Sequence, residues 1–239
     1  MSDVDPTALF EPLYVAAAEG RERLRWDRGG PHPLIDEWAR GLTGSGGRAL
    51  VVGSGLGPDA ELLAERGFEV VGFDVSPTAI ATAHARFPQS RVDYRVANLL
   101  DPPAEWSHAF DLVVESLTVQ SMPVAFHAQA IANVARMVAP GGTLVVVAKA
   151  RDGDRPVDGP PWPLTRTELE EFAADGLDAV RIEDVRRPGV PAQWRAEFRR
   201  DPADPRQRRE GQDLARRMRG RATVATSTDE IAALTRGDD

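Results

Sequence analysis

The sequence predicts an α/β fold: a seven-stranded, mostly parallel sheet with helices on both faces and a C-terminal antiparallel hairpin. Three observations predict it. Five short apolar runs rich in Val, Leu or aromatic residues alternate along the chain with segments of helical character. Runs that are apolar throughout, rather than at every second residue, suit strands buried on both faces, as in parallel sheets. Two further segments after these alternate strictly and flank a turn-rich connection, which is the pattern of a hairpin with one solvated face.

Taken in order, residues 1–45 read as a helical cap. Leu9 to Leu24 carries apolar residues at helical spacing, and Trp26 to Pro33 is a loop broken by glycine and proline. A core over 46–200 follows. Arg48 to Val52 is its first strand, Pro58 to Arg66 a helix, Glu69 to Asp74 a strand and Pro77 to Phe87 a helix. Pro58 and Pro77 sit where a first helical turn tolerates proline, while Gly67 and Gly141 sit where helices stop. Val92 to Ala97, Phe110 to Ser116 and Gly142 to Ala148 supply further strands, with a helix over Val124 to Val138 between the last two. Thr165 with Glu168 three residues on marks a capped helix to Ala174. Val180 to Glu183 and Trp194 to Phe198 form the hairpin across Arg187 to Pro191, and 201–239 reads as a basic, mobile tail.

Composition removes whole classes of function. With 239 residues and 42% hydrophobic content the chain can bury a self-sufficient core. There is no cysteine, so disulfides, thiolate zinc sites, iron–sulfur clusters and cysteine nucleophiles are excluded. The net charge of −8 argues against a surface that neutralises nucleic-acid phosphates, although nine arginines crowd residues 199–221. No apolar stretch approaches the roughly 20 residues of a spanning helix. The expectation is a cytoplasmic protein, a monomer or a dimer, with no membrane and no nucleic-acid partner.

The chemistry starts at Val51-Val-Gly-Ser-Gly-Leu-Gly-Pro-Asp59, a glycine-rich turn between a strand and a helix, where backbone amides can approach a ligand closely. Asp74 ends the next strand, about 20 residues on, where a carboxylate accepts hydrogen bonds from both hydroxyls of a ribose. A nucleoside ligand is implied. Pro58 stands where the dinucleotide fingerprint has its third glycine or alanine, which weakens a nicotinamide reading. Asn98 and Leu99 close the third strand and Glu115 lies near the end of the fourth, both at the end of the sheet where α/β ligands bind.

Gly53, Gly55 and Gly57 followed by Asp59 resemble the first motif of class I S-adenosylmethionine-dependent methyltransferases, with a Rossmann-like sheet. Two loops outside that core narrow the resemblance. Trp26-Asp-Arg-Gly-Gly-Pro-His-Pro-Leu-Ile35 resembles the loop ahead of the first strand in the thiopurine S-methyltransferase family, most closely in its plant halide/thiol branch. Val157-Asp-Gly-Pro-Pro-Trp-Pro-Leu164 resembles that branch's loop after the fifth strand. The resemblance covers about Trp26 to Arg200 and implies S-adenosyl-L-methionine as cofactor. It implies Trp26 along the cofactor, Gly53 at its methionine side, Gly55 as a further cofactor contact, and Asp74 at the ribose. Asn98 and Leu99 would meet the adenine, and Glu115 the methionine or the acceptor. Ser54 replaces the family's usual residue between the first two glycines, and Asn98 replaces its acid.

The implied reaction is in-line methyl transfer to a small soft nucleophile, a thiol or halide-like anion, which needs little general-base help. His32, His84, His108 and His127 show no metal-ligand spacing, and no metal is expected. Asp27, Glu115 and His32 are the acid–base candidates, and Asp27, His32 and Trp162 the candidate acceptor contacts. Other readings stay open: Trp26 as a core plug, Asp27 and Arg28 as an exposed pair, His32 as a solvent-facing loop residue, Glu115 as a solvated strand-end carboxylate, and Trp162 as an anchor for its own loop. At the level of function, the rivals are O- or N-methylation of another metabolite, a non-catalytic S-adenosylmethionine-binding protein, and a nicotinamide-dependent oxidoreductase.

Overall fold

In the computed structural model, residues 5–151, 157, 159–174 and 176–202 are described. The strands are β1 (Arg48–Val52), β2 (Glu69–Asp74), β3 (Asp93–Val96), β4 (Phe110–Ser116), β5 (Val138–Lys149), β6 (Leu177–Arg187) and β7 (Val190–Arg200). They form one seven-stranded sheet in the order β3-β2-β1-β4-β5-β7-β6. The first five are parallel to their neighbours, β7 runs antiparallel to β5, and β6 antiparallel to β7. The sequence-derived architecture is the observed one.

Alternation along each strand divides two cores. Leu50, Val52, Phe73, Val113, Leu144 and Val146 face one way, against helix α5 (His127–Met137) and the single-turn α6 (Arg166–Glu170). Val51, Val70, Leu112, Val114, Val145 and Val147 face the other, against α2 (Pro33–Ala39), α3 (Pro58–Glu65) and α4 (Pro77–Arg86). Because both faces are covered, the strands read as unbroken apolar runs. Chain order reverses between β1 and β4, and that reversal leaves a crevice beyond their carboxyl ends.

Several expected boundaries move. The hairpin strands are 11 residues each, joined across Pro188–Gly189, where alternation had marked only short segments. The reason is that β6 is an exposed edge: its polar residues complete the backbone ladder without leaving an apolar signature. The N-terminal helix α1 (Phe10–Ala18) stops well before Leu24, at Gly20 with its left-handed φ of 72°. The expected helix over Val124 to Val138 begins as a 3-10 turn at Val124–Phe126 and becomes α5 only at His127. Its last residue, Val138, opens β5. Helix α6 covers only Arg166–Glu170 of the segment expected to reach Ala174, and its capping box is present. The basic tail lies, from residue 203 on, outside the described residues.

Candidate functional site

The crevice is floored by the turn after β1. Gly53 (φ 58°) and Gly55 (φ 53°) are left-handed, a conformation that costs a residue with a Cβ about 1–2 kcal/mol. Space forbids a side chain as well. A Cβ on Gly53 would run into the Thr118 side chain, and one on Gly55 would stand 2.9 Å from the Tyr14 hydroxyl. The turn is pinned where Ser54 N–H donates to the Phe73 carbonyl (2.7 Å), and Pro58 then occupies the first turn of α3. The Ser54 hydroxyl is buried and has no partner.

Asp74 ties the turn to β2. Its Oδ2 accepts the Gly55 N–H and its Oδ1 the Ser76 N–H, both at 3.0 Å. Burial raises its pKa above the ordinary carboxylate value, against the pull of those bonds. A carboxylate oxygen has room for more than one donor, so Asp74 can still receive hydroxyls. The end of β3 is held alongside it, because Ala97 N–H donates to the Asp74 carbonyl. There the Asn98 amide oxygen accepts the Leu100 N–H at 2.9 Å, and the Leu99 side chain belongs to the core.

Helix α1 and the front loop, within the segment expected as a helical cap, cover this floor through contacts that no motif marked. Helix α1 lays Tyr14, 5% exposed, against the glycine turn, and its hydroxyl accepts the Trp26 indole N–H at 3.2 Å. The two rings meet edge-on at 5.8 Å. Burial first, then the nearby Asp74 carboxylate, drives the Tyr14 phenol pKa upward. Glu11 on the same helix accepts the Ser76 hydroxyl, the Thr78 hydroxyl (2.6 Å) and the Thr78 N–H (3.2 Å) at the start of α4. The signal available in sequence was two polar residues, Glu11 and Tyr14, inside an otherwise apolar helix.

At the end of β4, Glu115 is completely buried, which removes its reading as a solvated strand-end carboxylate. Its Oε1 accepts the N–H groups of Thr118 (2.7 Å) and Val119 (2.9 Å), and its Oε2 has no partner. Burial pushes its pKa up to about 7. Leu117 turns the chain here with φ 65°, an uncommon conformation for a bulky side chain. Beyond it, buried Gln120 accepts the Lys149 N–H with its amide oxygen and the Trp162 N–H with its carbonyl, both at 2.6 Å. Trp162 also packs on Gly159 of its own loop. His127 sets Nδ1 2.7 Å from Glu168 and Nε2 2.9 Å from the Met122 carbonyl, so it ties α5 and α6 to this segment. Against the opposing effect of burial, His127 and Thr165 hold the Glu168 carboxyl down at about 2.

The front loop divides. Trp26 belongs to the cover, whereas Asp27 pairs with Arg86 of α4 at 3.2 Å and not with Arg28. His32 corrects the expectation of a solvent-facing residue. It is 4% exposed, its Nδ1 caps α2 by accepting the Leu34 N–H, its own N–H donates to Asp59, and its Nε2 lies 3.2 Å from the Gln193 amide nitrogen. Burial, with Arg28 and Arg187 nearby, pushes its pKa down to about 4. Among the described residues, then, Gly53, Gly55, Asp74 and Trp26 converge with Tyr14, Glu115 ends the neighbouring strand β4, and His32 stands behind them as a helix cap. A cavity of about 400 Å³ lies at the amino ends of β1 and β2, lined by Arg48, Phe68 and Arg91, on the side away from all these groups. No helix among the described residues is long and apolar enough to cross a membrane.

Comparison with known proteins agrees with this geometry. A family model described as a methyltransferase domain matches residues 50–146. The chain is 30% identical over 175 residues to the 2-heptyl-1-hydroxyquinolin-4(1H)-one methyltransferase of Mycobacteroides abscessus, covering 70% of this chain and 74% of that protein. It is 27% identical over 166 residues to an Arabidopsis thaliana protein described as probable thiol methyltransferase 2, covering 66% and 71% of the two chains. Among solved structures, the N-methyltransferase NodS from Bradyrhizobium japonicum in complex with S-adenosyl-L-homocysteine superposes with a TM-score of 0.62 at 21% identity, over 82% of this chain and 99% of that one.

Proposed function

The chain belongs to the S-adenosylmethionine-dependent methyltransferases, and from that premise we propose that it methylates a small soft nucleophile, a thiol first among them. The observation that carries the reading is the closed floor at the switch point: two left-handed glycines, the Asp74 carboxylate and the unpartnered Ser54 hydroxyl, all under Tyr14 and Trp26. These residues fit the cofactor. Gly53 and Gly55 admit its methionine end, Asp74 accepts the ribose hydroxyls, and Trp26 with Tyr14 covers it. Asn98 and Leu99 serve the adenine through the backbone of their turn, since the Asn98 side-chain oxygen is engaged with Leu100. When bound, the cofactor supplies a methyl group on a sulfonium centre.

The chain's own contribution is to hold acceptor and methyl in line and to exclude water, which is where most of the rate of such a displacement arises. Cover by α1 and the front loop favours a small acceptor. The relative described as a thiol methyltransferase supports a sulfur nucleophile, as does the resemblance of the Trp26 and Trp162 loops to the halide/thiol branch. Trp162 and Asp27 are the proposed walls of the acceptor side. A second reading, methylation of a hydroxyl or ring nitrogen, is favoured by the 30%-identical relative that acts on a hydroxyquinolone.

The test is a panel of thiols and hydroxylated aromatics incubated with protein and S-adenosylmethionine, with products read by mass. Faster methylation of thiols supports the proposal; turnover confined to oxygen or nitrogen acceptors replaces it with the second reading. Calorimetric titration with S-adenosylhomocysteine and with NADH, on wild type and Asp74→Ala, reads the cofactor site directly. Binding of the former alone, weakened in the variant, is expected.

A further inference from the structure

Glu115 carries an inference that rests on the methyltransferase reading and sharpens its acceptor class. The residue sits at the switch point, in register with Val52, which precedes Gly53, and with Val146. It shares the face of Val113, so a carboxyl group closes a column that is otherwise apolar. Two features set it apart. Its Oε2 is buried without a partner, a condition native proteins rarely tolerate without a use for the atom. The turn that brings Thr118 and Val119 to Oε1 is bought with a left-handed Leu117, and such outliers cluster at functional sites. A purely structural acceptor for those two N–H groups would be complete with Oε1 alone, as in a glutamine side chain.

We propose that Glu115 is the general base of the reaction, Oε2 taking the proton of a neutral S–H or O–H acceptor, and that halide ions are not substrates. In the balanced step the acceptor's heteroatom–hydrogen bond breaks toward Oε2. Its electron pair forms the bond to the methyl carbon, the carbon–sulfur bond breaks with its electrons on sulfur, and the proton later leaves to solvent. A halide has no proton to give, and an ionised Oε2 repels it. The titratable neighbour facing Glu115 is His127 from α5, with Glu168 of α6 and Arg151 behind it, while the register partners on β1 and β5 are valines. Burial outweighs His127 and leaves the carboxyl titrating at about 7, where a base is most effective at neutral pH.

The variant is Glu115→Gln, whose amide oxygen keeps both bonds to the Thr118 and Val119 N–H groups. The probes are 2-mercaptoethanol, largely protonated near neutrality, benzenethiol, largely ionised, and iodide. Wild-type turnover of 2-mercaptoethanol is expected to rise with pH through about 7 and then level. The variant is expected to lose the break near 7, its rate following only the rising thiolate fraction, and to be slower at neutral pH by about 100-fold or more, the usual worth of a positioned base. Benzenethiol suffers much less, and S-adenosylhomocysteine affinity is unchanged. Infrared difference spectra provide a readout independent of turnover: a carboxyl band that titrates near pH 7 in wild type and is missing in the variant. Methylation of iodide as fast as of thiols overturns the proposal, as does a variant that keeps thiol turnover, or the absence of that band in wild type. Weakening of S-adenosylhomocysteine binding by tenfold or more in a folded variant also overturns it, because the carboxyl then serves the cofactor. Failure of wild type to bind S-adenosylhomocysteine would instead strike the methyltransferase reading.

Discussion

Replacing Asp74 with Asn separates the carboxylate's two jobs. Asp74 accepts one N–H on each oxygen, from Gly55 and from Ser76, and its carboxylate also receives the Tyr14 hydroxyl. An amide accepts at only one of those positions, so in either orientation its NH2 faces a buried N–H. An unmade buried hydrogen bond costs about 1–3 kcal/mol. Against that loss, the amide escapes the burial that raises the carboxyl's pKa. A net destabilisation of about 1–2 kcal/mol follows, which for a chain of this length lowers Tm by about 2–8 °C. At the ligand, the carboxylate receives two ribose hydroxyls, and bonds to a charged group are worth about 1.5–3 kcal/mol each. The amide keeps one of them by accepting, so S-adenosylhomocysteine should bind about 10- to 100-fold more weakly. Scanning calorimetry and titration calorimetry on the same preparation give both numbers. Unchanged affinity with a lowered Tm would mean that Asp74 only tethers the glycine turn and never meets the nucleoside. A raised Tm would mean that burial outweighs both tethers.

Three further outcomes are expected. Gly53→Ala forces a Cβ into a left-handed position against Thr118, whose hydroxyl donates to the Val52 carbonyl, so urea unfolding should show a loss of about 2–3 kcal/mol and titration a loss of cofactor binding; a neutral variant would show the turn to be plastic. His32 has a folded pKa of about 4, below its unfolded 6.5, so its contribution to stability is lost as pH falls from 6.5 toward 4. In His32→Asn, which keeps an acceptor for the Leu34 N–H, urea unfolding across that range should lack this acid loss, and parallel pH profiles would refute the assignment. Glu168, with its folded pKa held at about 2 against 4.5 unfolded, stabilises above pH 4.5 and loses that contribution as pH falls through 2. Glu168→Gln should therefore melt lower than wild type at pH 7, and the gap should close in acid; a gap independent of pH would assign the effect to packing.

The sheet was legible because burial on both faces writes itself into each parallel strand as an apolar run, and because proline and glycine mark helix ends locally. The glycine turn, Asp74 and Glu115 were legible for a related reason: their positions follow from strand ends. What stayed hidden depends on partners distant in sequence. Glu11 meets Thr78 67 residues away, and His127 meets Glu168 41 residues away. No periodicity encodes either pair. His32 misled because flanking prolines suggest an exposed loop, whereas Pro33 opens α2 and leaves the imidazole as its buried cap. The long hairpin escaped because an edge strand satisfies its ladder with polar residues.

The carboxyl groups of this end of the molecule sort by what has been done with their oxygens. On the cover and its supports, Glu11, Asp27 and Glu168 are held below their ordinary pKa values by hydroxyls, N–H groups and cationic partners. They act as latches, ionised and engaged. On the floor, Asp59, Asp74 and Glu115 are raised by burial that their few hydrogen bonds do not offset. Asp59 and Asp74 tether neighbouring backbone N–H groups, whereas the Oε2 of Glu115 is buried with nothing to hold. Their clustering at the reversal of strand order makes sense for a ligand site, where Asp74 has lone pairs left for further donors and Glu115 an oxygen without a partner. Asp74 then awaits hydroxyls and Glu115 awaits a proton. The same contrast explains why the post-β4 segment is tied to β1, β5, the Trp162 loop and His127 at once: a base that must meet a moving proton needs surroundings that do not move.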